Sequence, residues 1–149
     1  MSFKIKGVFD MDGYTNGLFQ AIECDHVYVA YMLVESGAKI DASDSGGNTP
    51  LILAVKKNNF SLAAFLVGKG AAVDAPGELG ATALHCAARS GNVSVVAFLL
   101  QQGANPRLTD SEGRTALDLA EGHSDVQALL QRASSQRVGP RSVGALARR

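Results

Sequence analysis

Identical residues return every 33 positions along this chain, and that spacing limits the folds open to it. Ala21, Ala54, Ala87 and Ala120 keep the period, as do Leu18, Leu51, Leu84 and Leu117. Gly37-Ala38, Gly70-Ala71 and Gly103-Ala104 recur in register. So do Leu33, Leu66 and Leu99, then Gly47, Gly80 and Gly113, then Thr49, Thr82 and Thr115. A period of roughly 20–50 residues marks an array of supersecondary units, each of which buries its apolar face only against its neighbours.

Each unit has a physical reading. Thr49 is placed to cap a helix and Pro50 suits a first helical turn. A short helix then runs to about Lys57, and Asn58-Asn59 breaks it. A second helix follows, with Leu62, Ala63, Phe65 and Leu66 on its buried side. Gly70 ends it, because a left-handed residue is cheap only for glycine. An extended loop leads to the next unit. The pattern predicts helix pairs at 17–24 with 27–36, 50–57 with 60–69, 83–90 with 93–102, and 116–121 with 124–131. The last unit is two residues short, and the loss falls at the end of its first helix.

Thr82-Ala83-Leu84-His85-Cys86-Ala87-Ala88 resembles the ankyrin signature Thr-Pro-Leu-His-x-Ala-Ala. Gly91-Asn92, Val95-Val96, Leu99-Leu100 and Gly103-Ala104-Asn105 continue it, with weaker copies at Thr49-Pro50-Leu51 and Thr115-Ala116-Leu117. The resemblance implies an all-α solenoid of stacked helix-turn-helix pairs with extended or β-hairpin loops. The expected domain covers residues 1–131, with repeats at about 11–43, 44–76, 77–109 and 110–131. Phe3, Ile5, Val8 and Phe9 suggest a lead-in packed on the first unit. Residues 132–149 read as a disordered basic tail.

Composition narrows the function classes. Net charge is zero, yet five arginines and no acidic residue follow position 131, so an acidic body carries a basic end. No apolar run approaches the ~20 residues of a membrane span, and the opening residues lack a signal-peptide core. The chain is expected to be soluble, monomeric and cytoplasmic, with the nucleus as a second location. Cys24 and Cys86 form no disulfide framework, and a Cys24/His26 pair is too few ligands for a metal. No phosphate-binding Gly-Lys-Ser/Thr or nucleophile elbow occurs. The resemblance makes His85 structural, its ring bonded to Thr82 and nearby backbone. No catalytic residue, cofactor or metal is expected, and the chain reads as a non-enzyme.

What remains is a binding surface. The resemblance implies a concave face made by loop tips and the exposed side of each first helix. Its residues here are Asp12 and Thr15, then Ser45 and Asn48, then Glu78 and Leu79, then Glu112 and Arg114 at the tips. Glu23, Cys24, Lys56, Lys57, Arg89 and Ser90 supply the helix positions. Lys56, Lys57 and Arg89 form a basic floor between acidic rims, which suits an acidic segment of another protein. The expected function is a non-catalytic adaptor or inhibitor. The alternative is a nucleic-acid-associated regulator acting through the arginine-rich end, which the acidic body disfavours.

Overall fold

A computed structural model describes residues 11–136 of the chain. Eight α-helices are found there. They are α1 (Met11–Glu23), α2 (Val27–Glu35), α3 (Pro50–Lys56), α4 (Phe60–Gly68), α5 (Ala83–Ser90), α6 (Val93–Gln101), α7 (Ala116–Leu119) and α8 (Ser124–Gln136). Consecutive helices pair as antiparallel hairpins, and the hairpins stack. First helices pack on first helices (α1, α3, α5, α7) more closely than second helices pack on second helices. The stack therefore curves with its first helices on the concave side. The period residues Leu18, Leu51, Leu84, Ala54, Ala87, Ala120, Leu66 and Leu99 are buried in one continuous core.

The caps follow from sequence chemistry. Thr49, Thr82 and Thr115 each accept a backbone N–H of their own first turn through the side chain. Asn59 and Asn92 do the same for α4 and α6. The turn inside each hairpin needs a positive φ, and the same position supplies it four times: Asp25 (60°), Asn58 (60°), Gly91 (75°) and Gly122 (86°). Gly70 and Gly103 end the second helices at φ 100° and 95°, as their place in the period predicts. Repeats are also laced together. Asp41 Oδ1 accepts the Ala72 N–H and, 33 residues on, Asp74 Oδ1 accepts the Asn105 N–H.

Three features depart from the sequence expectation. First, α1 begins at Met11 instead of residue 17. The other units turn at Gly47, Gly80 and Gly113, all at positive φ; Tyr14 holds that place in the first unit and the chain simply stays helical. Asp12 and Thr15 thus lie on a helix and not on a loop tip. Second, no strand forms among the described residues, so the expected β-hairpins reduce to tight turns. Each is closed by a backbone bond, Asp44 N–H to Asn48 O, Gly77 N–H to Ala81 O, and Asp110 N–H to Arg114 O. Third, α8 continues to Gln136, past residue 131. Ser134 stands where Gly70 and Gly103 stop their helices, and the Arg107 guanidinium donates to the Ser134 carbonyl at 2.8 Å. The expected tail from residue 132 therefore gives up its first five residues to α8. The lead-in at residues 1–9 and the rest of the basic end lie outside the described residues. The first helix of the last unit, α7, is four residues long against eight in α5, a larger loss than the two-residue deletion alone.

Candidate functional site

Three loop tips and two helix faces meet on the concave side. The second and fourth tips are built alike around an aspartate. Asp44 Oδ1 accepts the N–H groups of Gly46 and Asn48, both at 2.9 Å. Asp110 Oδ1 accepts those of Glu112 at 2.9 Å and Arg114 at 3.0 Å. Asp110 also binds the Arg114 guanidinium, which reaches Glu112 as well. The Arg114 amide, its guanidinium and the Glu112 amide together hold the Asp110 carboxyl down at about 2, against a smaller opposing effect of burial. The Arg114 pKa is raised in turn, first by its bond to Asp110.

The third tip has glycine in place of the aspartate. A Cβ on Gly77 would lie 2.6 Å from Asn48 Oδ1 and 2.7 Å from Ile52 Cδ1, so any side chain there would have to displace both against the second repeat. A 3-10 turn over Glu78–Gly80 follows, with Leu79 in the left-handed region at φ 57°. That conformation costs a bulky residue about 1–2 kcal/mol, yet the Leu79 side chain is 62% exposed. Neighbours on both sides hold it there. Asn48 Oδ1 accepts the Glu78 N–H, and the Ser111 N–H donates to Leu79 O at 2.8 Å.

Behind the tips lies His85, 1% exposed. The Thr82 N–H donates to its Nδ1 at 3.1 Å, so the ring proton sits on Nε2 and is given to the Arg114 carbonyl at 3.0 Å. Both ring nitrogens are used, and the ring ties the third repeat to the fourth. It is a structural histidine, bonded to Thr82 as the sequence motif implies.

A hollow of about 90 Å³ gathers Lys56, Glu78, Leu79, Cys86, Arg89 and Arg114. Lys56 stands 3.8 Å from Glu78. Arg89 has no ion-pair or hydrogen-bond partner among the described residues. Cys86 lines the floor, and burial pushes its thiol pKa up, partly offset by Lys56 and Arg89. Cys86 precedes Arg89 by three residues and so shares its helix face, a signal that sequence reading passed over.

Other expected site residues lie elsewhere. Asn48 is buried, and its side-chain oxygen serves the Glu78 N–H, so it supports the neighbouring tip instead of presenting itself. Lys57 turns toward the first repeat, donating to the Glu23 carbonyl at 3.0 Å and lying 3.8 Å from Asp25. The basic floor is therefore narrower than three adjacent cations. Ser45, Glu23, Cys24 and Glu112 are exposed, and the Ser90 hydroxyl donates to the Ala87 carbonyl. The Asp12 side chain lies outside the described residues. Both cysteines are free. Among the described residues, no three His, Cys, Asp or Glu side chains could hold a metal ion, and no helix is long and apolar enough to cross a membrane.

No curated protein sequence matches the chain. A family model described as ankyrin repeats (3 copies) matches residues 5–77 and again 73–138. Those spans take in nearly the whole sequence, and with four stacked hairpins, three of them threonine-capped, the chain belongs to the ankyrin-repeat family.

Proposed function

We propose that this chain is a non-catalytic adaptor or inhibitor that grips an acidic segment of another protein on its concave face. Ankyrin repeats are generally protein-interaction modules. The observation that carries the finer reading is the hollow where Arg89, without a hydrogen-bond or ion-pair partner among the described residues, stands beside Lys56 and the rigidly held Leu79. A cation of this kind attracts a carboxylate, and an exposed leucine fixed by its backbone offers an apolar contact at little entropic cost. Affinity capture with the full chain tests it, using Lys56→Glu with Arg89→Glu as the comparison. The double variant should keep its helical signal and melting midpoint while losing partner capture about tenfold or more at low salt. Undiminished capture would remove this face as the site.

A further inference from the structure

The second helices form their own row, and an aromatic pair fills the groove between them twice. Between α2 and α4, the Tyr31 ring lies on Phe65 with centroids 4.5 Å apart. Between α4 and α6, Phe60 meets Phe98 at 5.3 Å. Between α6 and α8 the pair is missing. Ala97 takes the place of Tyr31, Val93 that of Phe60, and Leu129 that of Phe65 and Phe98. A groove of about 440 Å³ opens there, floored by Ala97, Leu100 and Leu129. Beside Arg132, Ala133 and Gln136 extend α8 past the places where α4 and α6 stop and add a wall that the earlier units lack.

We infer that this convex groove is a second binding site, which takes an aromatic side chain of a partner protein with a carboxylate beside it. The ring follows from the row of second helices, since both earlier interfaces are closed by an aromatic pair, through Tyr31 at one and through Phe60, four places earlier in the repeat, at the other. The volume falls within the ~300–1,000 Å³ of ordinary ligand pockets. The carboxylate follows from charge. Among the described residues, Arg132 is the one charged side chain lining the groove. It has no hydrogen-bond or ion-pair partner among the described residues, whereas Arg107 nearby is committed to Ser134. The chain's own residues 137–149 begin beside Gln136, but they carry four arginines, no acidic group and no aromatic ring. Like charge to Arg132 makes them a poor complement. The site is independent of the concave face.

Methyl NMR on the full chain tests the inference with three acetylated tripeptide amides, Glu-Phe-Glu, Glu-Ala-Glu and Lys-Phe-Lys. Glu-Phe-Glu should shift the Ala97, Leu100 and Leu129 methyl signals, Glu-Ala-Glu should not, and Lys-Phe-Lys should bind about tenfold more weakly. Leu129→Phe and Ala97→Tyr each supply the missing ring internally, so either should raise the melting midpoint and abolish the shifts. Arg132→Glu should reverse the preference between the two Phe peptides. The inference is overturned by absent shifts at millimolar Glu-Phe-Glu, by equal shifts with Glu-Ala-Glu, or by binding that survives the ring-filling variants. Binding that emerges only in a chain ending at Gln136 would assign the groove to the chain's own terminus and overturn it equally.

Discussion

The third and fourth loop tips hold equivalent places in the stack, and they reach rigidity by opposite means. The fourth spends a carboxylate: Asp110 gathers two backbone N–H groups and a guanidinium. The third has no such anchor. Gly77 lets the turn press onto Asn48 and Ile52, and bonds from both neighbours, the Asn48 side-chain oxygen and the Ser111 N–H, then hold Leu79 in a strained conformation. One tip is fixed by charge within its own repeat, the other by close fit between repeats. The difference explains why the third tip can present an apolar side chain and the fourth presents ions already paired.

The largest effect expected from this comparison is at Gly77. Gly77→Ala drives a Cβ into Asn48 and Ile52, and overpacking of this kind should cost about 3 kcal/mol. Gly113→Ala, at the fourth tip, meets nothing within 4 Å and carries only the strain of φ 78°. It should cost about 1 kcal/mol. Urea denaturation of the two variants measures the contrast; equal losses would mean that the third tip is not held by fit. His85→Ala falls between them at about 2 kcal/mol, because it empties a buried site and strands the Thr82 N–H, while the Arg114 carbonyl keeps the Asp110 N–H.

Much of this was legible in the sequence, and the limits are physical. The 33-residue period located every helix pair, because capping threonines, turn glycines and buried leucines are local demands. The ends of the stack were misjudged where a stop signal was absent. Tyr14 and Ser134 replace glycines, and without a residue suited to positive φ a helix continues. Exposure at the site was read less well. Asn48 and Lys57 are each engaged by an adjacent repeat, through the Glu78 amide and the Glu23 carbonyl. Such bonds depend on the stacking geometry, which spacing along one chain does not reveal. The convex groove was legible in principle, as a place where the aromatic residues of two units become Ala97 and Leu129.

Acid should separate the two tips. Asp110 titrates near 2 in the folded chain, below its ordinary 3.8. A depressed carboxyl contributes stability that is full above the unfolded value and is lost as pH falls from about 4 toward 2. Asp110→Asn should therefore lower the urea midpoint at neutral pH and flatten its decline across that window. Amide exchange should show the Glu112 and Arg114 N–H groups losing protection on acidification before those of Glu78 and Ser111, whose acceptors are an amide oxygen and a carbonyl. Simultaneous loss at both tips would show that they open as one unit.

The smallest effect expected is at Leu79, and its sign is the informative part. Glycine there removes a left-handed strain of about 1–2 kcal/mol. It also adds roughly 0.5–1 kcal/mol of unfolded-state freedom that folding must overcome. The side chain is largely exposed, so little packing is lost. Leu79→Gly should then leave stability unchanged or raise it by up to about 1 kcal/mol. A leucine retained against that strain, at an exposed position, fits a residue kept for contact with a partner. The same substitution should weaken partner capture on the concave face while the urea midpoint holds or rises. If instead the midpoint falls by more than about 1 kcal/mol, the leucine packs within the fold, and the third tip would be as self-sufficient as the fourth.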